Sequence, residues 1–207
     1  MDEDPEVDEV TLTKLTEIAE LTSHAEALGH VSLAWTRLHE IMAMLFGLLL
    51  QPVTEEKAYA IWHSIKNDRS QRDMLLALAE ASFPADSEIR KAIKWARDNL
   101  LSLENSRNDA LHSPYVLIHD EERGPTMIAN EVTGNKRAAN LSGRDLGIEL
   151  ESYKRNVTAV ADYLWEAVRE LSKPQNALAP QPHKMPPPPS LPKPARAMRR
   201  GRRNKGE

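Results

Sequence analysis

Cysteine is absent from the 207 residues, which removes disulfides, thiolate nucleophiles and cysteine-based zinc sites and suits a reducing compartment. Glycine is scarce, with eight residues scattered along the chain, and none builds a phosphate loop, a dinucleotide fingerprint or a G-x-S-x-G elbow. No apolar run reaches membrane length: the longest, Ile41 to Leu50, stops after ten residues at Gln51-Pro52, where a spanning helix needs about 20. The opening stretch, MDEDPEVDEV, is acidic where a secretory signal needs a basic n-region followed by an apolar one, so a cytoplasmic protein without membrane association is expected. His24, His30, His39, His63 and His119 stand in no metal-ligand spacing, so neither a metal nor a cofactor is expected.

Apolar residues make up 41% of the chain, enough for one core of ordinary size. The net charge of −4 conceals a polarised layout: six acids lie in residues 1–10, and nine Lys or Arg face only Glu207 in residues 173–207. The remainder carries −6, from 18 basic and 24 acidic residues, and an acidic body is a poor general binder of nucleic acid. The pattern divides the chain into an acidic disordered leader over 1–11, a helical domain over 12–172 and a proline-rich basic disordered tail over 173–207. Nine of the 14 prolines lie beyond Lys173, where apolar periodicity ends and a polyproline-like or disordered chain is expected.

Within the domain the apolar spacing is helical almost throughout. Leu12, Leu15, Ile18, Ala19 and Thr22 predict a short amphipathic helix, and Ser23-His24-Ala25-Glu26 then has the form of a capping box opening a second one. Leu28, Val31, Trp35, Leu38, Met42, Leu45 and Leu49 carry that second helix to Gln51. Thr54 is placed to cap the next, with Tyr59, Trp62 and Ile65 on one side; Asp68 opens another that bears Met74, Leu75, Leu78 and Ser82. Asp86 and Ser87 at one end and Pro114 at the other bound a helix over about 87–112. Tyr115–His119 and Thr126–Ala129 are β-prone and bracket a turn-rich stretch, predicting a hairpin that must lean on the helices. A last long helix begins at Ser142–Asp145 and runs through Leu146, Leu150, Tyr153, Val157, Val160, Leu164, Val168 and Leu171. The expected fold is all-α, an up-and-down bundle of five or six helices with one small β-hairpin. Trp35, Trp62, Trp95 and Trp165 fall on or beside the apolar stripes, as core or interface anchors rather than base-stacking platforms.

The end of the 87–112 helix carries unusual chemistry. Ile89, Ile93, Ala96, Leu100 and Leu103 form one stripe, and at roughly 100° per residue Arg107 falls near its middle. A guanidinium is always charged, so this place on a core stripe implies a carboxylate, a phosphate or a wet cleft beside it. Asn108 and His112 lie four residues apart on the adjoining flank, while Arg107 and His112 are about 140° apart around the helix.

The run Arg107-Asn108-Asp109-Ala110-Leu111-His112 resembles the active-site signature of the HEPN superfamily, all-helical dimers that include many metal-independent endoribonucleases. The resemblance implies a homodimer in which Arg107, Asn108 and His112 of both copies line one cleft, an RNA substrate, and a toxin or defence effector restrained by a cognate antitoxin or nucleotidyltransferase. The flank carrying Arg97, Leu101, Glu104, Asn108 and His112 is the candidate face for the second copy. Histidine can exchange protons near neutrality and arginine can grip two phosphate oxygens, which are the needs of metal-free cleavage through the RNA 2′-hydroxyl. Some HEPN toxins place a tyrosine two residues after the histidine; Pro114 stands there in this chain and Tyr115 follows, so Tyr115 is at most a supporting residue. Glu104, one turn before Asn108, is either a partner for Arg107 or Arg97 or a plain surface acid.

In the tail, Arg199, Arg200, Arg202 and Arg203 can hold RNA by counterion release, or serve only to solubilise the chain or bind a protein. The plainer reading of the motif is an arginine paired with an internal carboxylate and a histidine favoured by the helix C-terminus. The alternative function is accordingly a non-catalytic HEPN-like dimer that binds a nucleotide or a protein.

Overall fold

The computed structural model describes residues 9–174 and 182–192. Six α-helices and one hairpin occur among the described residues: α1 (Glu9–Leu49), α2 (Glu55–Ser64), α3 (Asp68–Ser82), α4 (Glu88–His112), β1 (Tyr115–Asp120), β2 (Gly124–Ala129), α5 (Lys136–Leu141) and α6 (Leu146–Leu171). The described residues divide into two compact units, the first comprising 9–31 and 106–152 and the second 32–105, 153–174 and 182–192. The fold is an all-α helical bundle with a small antiparallel hairpin directly after α4. No helix among the described residues is long and apolar enough to cross a membrane.

The first unit is built around the hairpin, whose register pairs Tyr115 with Ala129 and Asp120 with Gly124. Asp120 makes the turn: its Oδ1 accepts from the backbone N–H of Glu122 and Arg123 (3.0 and 3.1 Å), and Gly124 takes the left-handed conformation, φ 73°, that closes the loop. Met127, Ala129, Ala138, Leu141 and Leu146 form its apolar core, with Tyr115 and Leu117 packed against them. A two-stranded sheet is marginal by itself. Here it leans on α1, as Glu20 accepts the Met127 N–H (3.0 Å) and His119 pairs with Glu17 (2.7 Å).

This use of Glu17 and Glu20 turns the start of α1 inside out. At roughly 100° per residue Glu17, Glu20 and His24 share one face, and Leu15 and Ile18 fall on the far side. Leu12, Leu15, Ile18 and Leu21 are 47–59% exposed. The amphipathic spacing is real, but its polar side meets the hairpin and its apolar side meets solvent.

The starts of helices differ from those the sequence predicts at two places. α1 is one helix of 41 residues, with no break at Ser23–Glu26. A serine inside a good helical sequence costs only about half a kcal/mol, and neither proline nor glycine stands at Ser23–Glu26 to stop the chain. Asn67 rather than Asp68 caps α3, accepting from Ser70 N, while the Asp68 carboxylate accepts from the Trp35 indole at 3.2 Å. Thr54 holds the N-cap position of α2 with no side-chain hydrogen bond. The stretch 130–141, to which the sequence assigns no element, contains a 3-10 turn at Glu131–Thr133 and α5; Asn130 and Asn135 each cap the element that follows by accepting backbone N–H bonds.

The second unit buries Leu38, Met42, Leu45, Trp62, Leu75, Ile93 and Leu164 almost completely. Phe46 lies against Trp62 and Trp95 meets Tyr163 edge-on, at centroid distances of 5.6 and 5.0 Å. The buried face of α3 is Gln71, Arg72, Leu75 and Ala79, rotated from the Met74–Leu75–Leu78 face its apolar residues predict. Both polar residues have partners distant in sequence: the Gln71 amide donates to the Trp62 carbonyl (3.0 Å) and Arg72 to Glu104 (2.5 Å).

Candidate functional site

α4 delivers the motif as expected. Its stripe of Ile89, Ile93, Ala96, Leu100 and Leu103 is buried along the whole length, and its last residue is His112, because Pro114 lacks the N–H another turn would need. Arg107 is half-buried, with its Nε sealed from solvent. Asn108 is also half-buried and His112 is exposed, and neither side chain has a hydrogen-bond partner among the described residues. The intervening Asp109 ties the helix end to α5: it accepts from Asn140 (2.9 Å) and lies 3.9 Å from Arg137. The last turn of α4 is therefore held from one side while an amide and an imidazole, stacked four residues apart, remain available.

Tyr115 serves that turn in another way. Its hydroxyl donates to the Ala110 carbonyl at 2.6 Å, satisfying one of the acceptors that a helix C-terminus leaves open. Burial pushes the phenol up to about 12, and the Asp109 carboxylate adds to the effect. Tyr115 is thus a neutral donor near pH 7 that positions the motif. The His24 ring stands edge-on to it at 4.5 Å; burial lowers the His24 imidazole below its ordinary value against the opposing pull of Glu20. Neither His24 nor Asp109 stood out in the sequence, since their partners are some 90 and 30 residues away.

Glu104 pairs with an arginine that the sequence did not suggest. Its carboxylate holds Arg72, whose side chain is 1% exposed. Arg97, on the same flank, is bound to Asp73 (2.8 Å) and Asp98 (3.2 Å). These pairs commit part of the flank proposed to meet a second copy to contacts inside the second unit. A cavity of about 10 Å³ bordered by Met42, Arg72, Leu75, Ile93, Ala96, Arg97 and Leu164 lies there too, with room for about one water and none for a nucleotide.

Among the described residues no cluster of three or more His, Asp or Glu could hold a metal ion. Arg199, Arg200, Arg202 and Arg203 lie outside the described residues. Within the tail, 182–192 is described: it has no regular secondary structure but is hydrogen-bonded to α6. No family model, curated protein or solved structure matches this chain.

Proposed function

We propose that the protein is a metal-independent endoribonuclease of HEPN type whose site is completed by a second copy of the chain. The observation that carries the reading is the last turn of α4, where an exposed, unengaged His112 follows one turn after an unengaged Asn108, beside a half-buried Arg107. One helix sets Arg107 and His112 about 140° apart, so a single copy supplies half a site. Two copies about a dyad bring two arginines and two histidines. The apolar side of α1, exposed on the same unit as the motif, is the surface on which that dyad would form.

In this site one His112 takes the proton from the RNA 2′-hydroxyl as the O2′–P bond forms, and the other returns a proton to the 5′-oxygen as the P–O5′ bond breaks, leaving a 2′,3′-cyclic phosphate. Arg107 holds the non-bridging oxygens as their charge grows, and Asn108 orients the phosphate. A role as a toxin or defence effector, restrained by an antitoxin or nucleotidyltransferase, belongs to the same proposal.

His112→Ala and Arg107→Ala should each lower cleavage of single-stranded RNA by at least about a hundredfold, with dimer and melting temperature nearly unchanged and the wild-type activity surviving EDTA. Variants that unfold, a strictly monomeric wild type, or activity abolished by EDTA would each remove the reading. Intact dimers that bind nucleotides without cutting RNA would instead favour the non-catalytic module.

A further inference from the structure

Residues 182–192 lie along α6. The Lys184 N–H donates to Glu170 Oε2 at 3.5 Å, the His183 ring meets Phe83 edge-on at 5.9 Å, and the Asn156 amide donates to the Pro192 carbonyl at 3.0 Å. Residue 184 thus lies at 170 and residue 192 at 156, so the segment runs antiparallel to the helix. Fourteen helical residues span about 21 Å and eight residues at the polyproline rise about 25 Å, so the segment is nearly straight between its anchors. His183, Met185, Pro189 and Leu191 are half-buried along it, whereas Pro186, Pro187 and Pro188 are exposed.

The anchors read backbone. Glu170 takes a peptide N–H and Asn156 gives to a peptide carbonyl, whatever side chains those residues carry. Asn156 is 3% exposed, and its Oδ1 is buried with no hydrogen-bond partner among the described residues. A peptide N–H beside the accepted carbonyl would complete that amide. Four consecutive prolines fix φ near −65°, so the segment is extended before it docks and loses little freedom in docking.

From this geometry we infer that the face of α6 between Asn156 and Glu170, with Phe83 at one end, is a recognition groove for an extended proline-rich peptide, and that the chain fills it with its own residues 182–192. The groove sets the polarity of its ligand, antiparallel to α6, and its length, about eight residues between the two hydrogen bonds.

The test uses the full chain with 182–192 replaced by Gly-Ser of equal length, its folding checked by far-UV circular dichroism, and a fluorescent peptide of the 182–192 sequence followed by polarisation. The peptide should bind the replaced chain saturably and the wild type at least about tenfold more weakly, because a tethered segment acts at millimolar effective concentration. Asn156→Ala in the replaced chain should weaken binding about fivefold, one hydrogen bond's worth. Absent saturable binding, or equal binding to both chains, overturns the inference. If the replaced chain does not fold, limited trypsin digestion of Asn156→Ala and Phe83→Ala in the otherwise native chain decides: cleavage after Lys184 should speed up in both, and unchanged rates overturn the groove.

Discussion

Arg72 and Arg107 both stand where the helical spacing asks for an apolar side chain, and they solve the problem differently. Arg72, at the start of the second turn of α3, is 1% exposed with the Glu104 carboxylate 2.5 Å from its Nη2. Arg107, in the last turn of α4, is only half-buried, next to an unengaged amide and one turn from an exposed imidazole. A guanidinium that is 1% exposed and held by a carboxylate is an architectural element, closed to a ligand by its burial. An arginine at the helix terminus has solvent within reach, and its neighbours are the groups that phosphate chemistry uses. Both residues stand little more than one turn from a helix end, so the burial of the charge and the groups beside it, more than its position along the helix, separate support from candidate chemistry.

The sharpest way to break the contrast is to remove a partner from each. Glu104→Ala leaves the Arg72 charge buried and unpaired and should cost about 3–5 kcal/mol of unfolding free energy, whereas Arg72→Met with Glu104→Leu should recover most of it. Arg107→Ala, by comparison, should change a urea-unfolding midpoint little; a loss as large as that of Glu104→Ala would make Arg107 a second architectural arginine. A smaller effect is expected at Tyr115, whose bond to the Ala110 carbonyl holds the motif turn. Tyr115→Phe should cost about 1 kcal/mol near pH 7. It should also flatten an alkaline decline: the folded phenol stays protonated up to about 12, whereas the unfolded one ionises near 10, so stability falls as pH rises through that window.

The smallest effect is at His24. Its imidazole is lowered in the folded chain and ordinary, about 6.5, in the unfolded one. Protons therefore favour the unfolded state, and stability falls as pH drops below about 6.5 toward the lowered value. His24→Phe keeps a ring against Tyr115 and should lose less stability than the wild type between pH 7.5 and 5.5. Equal losses would show that His24 does not carry the pH dependence of this end of the molecule.

What could be read from the sequence was local. Pro114 and the Asp86–Ser87 pair bounded α4 to within a residue, and the β-prone runs Tyr115–His119 and Thr126–Ala129 about a turn-rich stretch placed the hairpin. What escaped depended on partners far along the chain. The face of α3 was misplaced because Gln71 and Arg72 are buried by pairing with Trp62 and Glu104 rather than by being apolar. The apolar side of α1 was visible, but not that Glu17 and Glu20 would take the inward face. α5 was missed although Asn135 is a good N-cap, because six residues are too few to show a period. At the site, Arg107, Asn108 and His112 were legible as a motif; the residues that hold the motif turn, Asp109 through Asn140 and Tyr115 through Ala110, were not.

The hairpin has two strands, so each of them is a border, and Val116 and Ile118 on β1 lie about one-third exposed. Borders of this kind invite a stranger's strand to zip on. Pro125 in β2 guards against it: a proline in an outer strand withholds a donor from any newcomer. The acids at the loop tip, Asp120, Glu121 and Glu122, repel their own kind. One ring and three carboxylates are thus the devices against edge-to-edge pairing on this hairpin, a thin fence beside the turn that carries the candidate chemistry.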